Sequence, residues 1–147
     1  MSVALLDVNA LLALFWENHS FHTSFERWFA SKQNRGWATC PTTEQGFVRV
    51  VSNAAYVKPA PKVRESLDLL EQATKLSKLH EFWADDLPLS ALHPAIRQRI
   101  QGHQQLTDAY LLSLAIHHRG KLITFDRRML ALAPDGSAER DSLEILY

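Results

Sequence analysis

The chain has 147 residues, 46% hydrophobic and 22% charged, with 16 Lys+Arg against 16 Asp+Glu. It is too apolar for intrinsic disorder, and a net charge of zero excludes a whole-surface electrostatic grip on nucleic acid or membrane. The single cysteine, Cys40, excludes an internal disulfide framework and a thiolate zinc site, and it suits a reducing compartment. No apolar run approaches the roughly 18 residues of a membrane-spanning helix. The opening residues lack the basic start and the length of a signal peptide. The expectation is one domain over residues 1–147, in the cytoplasm.

Residues 3–6 are continuously apolar and stop at Asp7, the pattern of a strand covered on both faces. Residues 10–16 read as a helix, and Phe21, Phe25, Trp28 and Phe29 repeat at helical spacing in a second one. Residues 37–40 read as a short strand stopped by Pro41. Thr42 or Thr43 then caps a helix carrying Phe47, Val48 and Val51, and with Thr42 as cap Gln45 completes a capping box. Past the proline-rich loop 58–61, Val63, Leu67 and Leu70 line one face of a further helix. Residues 79–83 read as a strand, 91–100 as a short helix and 101–105 as a polar loop. The most regular helix runs from 106 to about 118, with Gly120 as its cap. Strands at 122–125 and 143–146 follow. Strands separated by helices predict a three-layer α/β/α sandwich with a short, mostly parallel central sheet.

Asp7 and Asp126 each stand at the exit of an apolar strand. In open parallel sheets the crevice outside the carboxyl ends of the strands is where ligands bind, although an aspartate there also serves as a turn former or helix cap. Asp108 precedes Leu111, Leu112 and Ala115 on an apolar helix stripe, and Glu44 stands in the same relation to Phe47, Val48 and Val51. An acid on an inward stripe is costly unless paired or coordinated, though both acids also gain from a first-turn position near the helix dipole. Two unit charges ~4 Å apart repel by ~4 kcal/mol at an effective dielectric near 20, so four converging carboxylates would need cations. Hard oxygen donors without Cys or His select Mg2+ or Mn2+. Such a site suits hydrolysis of a phosphodiester.

These acids, in this order and with their flanking residues, resemble the PIN-domain family of metal-dependent ribonucleases, and more closely its VapC-type toxins. The resemblance is carried by residues 5–12, 40–49, 106–115 and 122–127, with further likeness at 19–28 and 80–86. It implies that Asp7, Glu44, Asp108 and Asp126 bind the metal and form the catalytic quartet, with Asp7 and Asp108 the firmest ligands. It also implies that Asn9 and Thr124 line the site. The activity implied is Mg2+-dependent (Mn2+ as substitute) endonucleolytic cleavage of structured RNA, transfer RNA or a ribosomal RNA loop. The implied partners are a small VapB-like antitoxin and a second copy in a homodimer.

Arg127 and Arg128 directly after Asp126, with Arg119 and Lys121 flanking the same strand, are candidates for holding RNA phosphates. His103, just before Asp108, is the leading histidine for a general acid. His19 and His22, three apart, lack a third ligand beside them, and the adjacent His117 and His118 are expected to face apart. A phosphatase of similar architecture needs a second aspartate two residues after the first, where Asn9 stands. A non-catalytic RNA-binding domain has no need of four acids in these places.

Overall fold

The computed structural model describes residues 2–16, 20–31 and 35–147, and its centre is a five-stranded sheet in which every pairing is parallel. The strands are β1 (Ala4–Leu6), β2 (Trp37–Thr39), β3 (His80–Phe82), β4 (Lys121–Thr124) and β5 (Leu143–Ile145), in the spatial order β3-β2-β1-β4-β5. Side chains alternate between two faces, and each face has its own core. Ala4, Leu6, Trp37 and Ile123 pack with residues of α1 (Val8–Phe15), α2 (His22–Ala30), α3 (Pro41–Val51) and α4 (Val63–Leu76). Leu5, Ala38, Leu122, Leu143 and Ile145 pack with residues of α5 (Pro94–Arg99) and α6 (Leu106–His117). Burial on both sides is why these strands read as unbroken apolar runs. The expected three-layer sandwich is what the chain forms. Among the described residues no helix is long and apolar enough to cross a membrane.

Two helix ends differ from the sequence reading. α3 begins at Pro41 with Cys40 as its cap residue, before Thr42 or Thr43. Proline presets the backbone for the first helical position and lacks only an N–H the helix cannot use there. Thr43 then acts from inside the first turn, its hydroxyl accepting from the Cys40 N–H at 3.0 Å. At the end of α6 the left-handed position is held by Arg119, with φ 59°, while Gly120 lies one residue beyond it. The Arg119 and Gly120 N–H groups donate to the Ile116 and Ala115 carbonyls at 2.9 and 2.8 Å, a Schellman closure.

Gly120 is required for a different reason. A Cβ there would lie 2.5 Å from both the Val3 carbonyl oxygen and Cη2 of Trp83. The missing side chain lets Trp83 lie against the start of β4. Gly120→Ala is therefore expected to lower stability by about 1–3 kcal/mol through overpacking against backbone and a rigid indole. Urea unfolding of the variant checks this; unchanged stability would contradict the close approach.

Candidate active site

The pairing of β1 with β4 puts Leu6 level with Ile123, so the next residues, Asp7 and Thr124, come side by side at the carboxyl edge. Asp7 caps α1: its Oδ1 accepts from the Ala10 N–H at 2.8 Å. Its Oδ2 accepts from the Thr124 hydroxyl at 2.5 Å. Thr124 Oγ1 in turn accepts from the Asp126 N–H at 3.0 Å. One fully buried threonine thus ties together the two strand-exit aspartates. Capping α1 does not prevent Asp7 from meeting Thr124, because a carboxylate has two oxygens to offer.

Asp108 enters from the first turn of α6, on the opposite layer. The Asp7 carboxyl is pushed up to about 6, by burial first and then by the charges of Asp108 and Asp126, against the lowering effect of its two hydrogen bonds. Asp108 is also raised, by burial first and then by Asp126, with Arg128 opposing. Asp126 goes the other way, because Arg128 holds its carboxylate ionised. The guanidinium grips both carboxylate oxygens, with Nη2–Oδ2 at 2.7 Å and Nε–Oδ1 at 3.0 Å. The Arg128 backbone N–H adds a 2.9 Å bond to Oδ1. Beside Asp108 and Arg128 opens a cleft of about 440 Å³ lined also by Gln104, Gln105, Ala131 and Leu132.

Asp7, Asp108 and Asp126 therefore act on one another electrostatically, whereas Glu44 is turned toward β2. Thr39 donates its hydroxyl proton to Glu44 Oε2 at 2.6 Å, and Thr39 Oγ1 itself lies 2.8 Å from His80 Nε2. With its own proton committed, Thr39 can only accept from His80, so Nε2 carries the imidazole hydrogen. Burial lowers the His80 pKa, which favours that neutral ring. Glu44 also edges a groove of about 750 Å³ between α3 and α4, lined by Val48, Val63, Leu67 and Phe82 among others. The sequence reading missed Thr39 and His80, yet a signal was present. Thr39, like Thr124, is a lone hydroxyl ending a strand that otherwise points apolar groups inward.

The remaining candidates scatter. Asn9 is exposed in the first turn of α1, two residues after Asp7. Arg127 is exposed and stacks its guanidinium 4.3 Å above the Tyr147 ring. Lys121 pairs with Glu144 at 2.8 Å and opens β4, at the far end of that strand from Asp126. Arg119, just before it, is likewise at that far end. His103 is exposed in a 3₁₀ turn, His103–Gln105, leading into α6. His22 Nδ1 bonds the Ala13 carbonyl at 2.6 Å, and His19 lies outside the described residues. His117 and His118 do not face apart: their Nε2 atoms lie 3.6 and 3.2 Å from the same Asp86 oxygen. The chain after β3 passes the end of α6, so one Asp86 oxygen is reached from both neighbouring positions.

The sign of the Asp7 shift makes a prediction. A carboxyl raised from 3.8 to about 6 binds its proton more tightly folded than unfolded, so its charging destabilises the fold as pH rises through that window. Without metal, Asp7→Asn should be more stable than the parent at pH 7.5, by up to about 3 kcal/mol. The advantage should shrink toward zero as pH falls to about 4. Urea unfolding in chelator at both pH values measures this; equal stabilities at pH 7.5 would contradict it.

Comparison with known proteins agrees with this geometry. The PIN domain matches residues 4–134. Ribonuclease VapC39 of Mycobacterium tuberculosis is 39% identical over 136 residues, 92% of this chain and 97% of its own. Ribonuclease VapC44 of the same organism is 40% identical over 137 residues, covering 93% and 95%. The crystal structure of Mycobacterium tuberculosis VapC20, described as a sarcin-ricin loop cleaving toxin, superposes with a TM-score of 0.59 at 15% identity. That alignment covers 92% of this chain and 97% of the other and speaks for the fold alone. The chain belongs to the PIN-domain family, among its VapC ribonucleases.

Proposed function

We propose that this protein is an endoribonuclease toxin that cleaves structured RNA, a transfer RNA or a ribosomal RNA loop, with Mg2+ or alternatively Mn2+ at the carboxylate site. The observation that carries this reading is the convergence of Asp7, Asp108 and Asp126 at the carboxyl edge of the sheet, with the Asp7 carboxyl pushed up to about 6. A set of hard oxygen donors in which burial and like charge hold back the ionisation of Asp7 and Asp108 is fitted to a small divalent cation, whose binding would remove that penalty. The identity of 39–40% to proteins named as ribonucleases, over more than nine-tenths of the chain, supports the same reading. The phosphatase and binding-domain alternatives have no observation in their favour.

Asp7 and Asp108 would hold the cation directly, with Asp126 and Glu44 acting through water. A divalent cation so held supplies Lewis-acid stabilisation of the phosphodiester and a nucleophilic water at neutral pH. Thr124 fixes the Asp7 carboxylate through its short hydrogen bond and keeps one oxygen in a constant direction. Arg128 keeps Asp126 ionised while most of its own side chain stays in solvent, where it can meet an RNA phosphate. Arg127 lies next to it for the same purpose. Arg119 and Lys121, at the far end of β4, are assigned no place in cleavage. The groove between α3 and α4, with Val63, Leu67 and Phe82 more than half exposed, is an apolar surface suited to a VapB-like antitoxin. A homodimer, a cytoplasmic setting and a single domain over residues 1–147 complete the reading.

The test is cleavage of total bacterial RNA by the antitoxin-free protein with Mg2+, with Mn2+ and with chelator, the cut ends mapped by sequencing. Discrete metal-dependent cuts are expected, reduced at least about a hundredfold in the Asp7→Asn/Asp108→Asn variant, equivalent to roughly 3 kcal/mol of barrier. At sub-saturating Mg2+ the rate should fall as pH drops below about 6, where the proton on Asp7 competes with the cation, and saturating Mg2+ should move that fall to lower pH. Cleavage that persists in chelator, or in the double variant, would overturn the assignment.

A further inference from the structure

The end of α6 opposite Asp108 carries a second group of ligand-type side chains. Asp108 and His117 are nine residues apart on this helix, about 13 Å along its axis. At that far end the His117 and His118 rings stand nearly perpendicular, with centroids 5.3 Å apart and an interplanar angle of 84°. The Trp83 indole lies flat on His118, 4.6 Å between centroids and 11° from parallel, which fixes the plane of that imidazole. Trp83 is seated by the space at Gly120, and three residues later the chain brings Asp86 over both rings.

Two of the ligand-atom separations are close to those of a metal centre. Asp86 Oδ1 lies 3.2 Å from His118 Nε2 and 3.6 Å from His117 Nε2, and each of the three residues offers one ligand atom within 4.8 Å of the other two. A tetrahedral centre with bonds of 2.0–2.1 Å separates its ligand atoms by about 3.3–3.4 Å. His118 Nε2 is buried and makes no hydrogen bond of proper geometry despite its nearness to Asp86. A buried ring nitrogen close to a carboxylate yet not bonded to it is a polar atom still without a partner, which a cation between the two groups would supply. The carbonyls at a helix C-terminus add favourable negative potential, against which the neighbouring Arg119 works. Asp86 and His117 are about half exposed, so an ion has access and a fourth position faces solvent.

We propose that Asp86, His117 and His118 form a binding site for one divalent transition-metal ion of the zinc class, separate from the carboxylate site. Two imidazoles and one carboxylate select zinc, cobalt or nickel over magnesium. The ion ties the segment after β3 to the C-terminal end of α6, joining two elements otherwise held there by the Trp83–His118 stack.

The test uses the full chain carrying Asp7→Asn/Asp108→Asn, so that the carboxylate site does not compete, titrated with Co2+ and followed by its visible absorption. One equivalent is expected, with a tetrahedral-type spectrum displaced by Zn2+ and not by Mg2+. His117→Gln and Asp86→Asn, introduced separately at exposed positions and checked by circular dichroism, should each weaken binding about tenfold or more. Absence of Co2+ binding, or binding indifferent to both substitutions, would overturn the proposal. In the otherwise unaltered chain, His117→Gln should leave RNA cleavage in place, which separates this site from the nuclease reading.

Discussion

Everything at the carboxyl edge depends on β1 and β4 being parallel neighbours in one register. Leu6 pairs with Ile123, and the Asp7 N–H continues the ladder to the Ile123 carbonyl at 3.2 Å. Residues 117 positions apart in sequence are thereby set shoulder to shoulder, and the Thr124 hydroxyl can reach Asp7. The apolar layers on both faces give the sheet its stability. They also withhold water from Asp7, which is why burial is the largest cause of its raised pKa. The same packing that makes the fold thus makes the first acid reluctant to ionise.

The neighbouring carboxylates are treated differently by their surroundings. Asp126 is held ionised by Arg128, whereas Asp7 and Asp108 receive no comparable cation from the chain. A site with two reluctant acids beside one committed acid calls for a positive charge from outside the chain. Glu44 adds a fourth acid from another direction, kept in place by the relay from His80 through Thr39. Two strand-end threonines therefore orient two acids in the same way, by donating their single hydroxyl proton. Close packing of α1 on α3 is part of that arrangement, since a Cβ at Gly46 would meet Val8 at 2.5 Å.

The sheet and the acid positions were legible because burial on both faces writes continuous apolar runs, and an aspartate ending such a run is easily seen. Strands at 4–6, 37–39 and 143–145 lie within one residue of the sequence reading. Helix ends were less legible: the left-handed position after α6 belongs to Arg119, because Gly120 is consumed by the approach of Trp83 and Val3. The partnership of Asp86 with His117 and His118 was invisible, since it depends on where the chain after β3 passes the end of α6. Side-chain commitments such as Arg128 to Asp126, or Lys121 to Glu144, also lie beyond sequence pattern. They arise from register and turn geometry that no spacing rule specifies.

The central claim is that the strand-exit acids form one cation site whose key member is Asp7. Its most direct test is carboxyl-detected NMR of 13C-labelled protein, titrating Asp7 with and without Mg2+. The account predicts a midpoint near 6 in the absence of the cation, and ionisation maintained well below that value when Mg2+ is present. An Asp7 that titrates in the ordinary carboxylate range and ignores Mg2+ would contradict it.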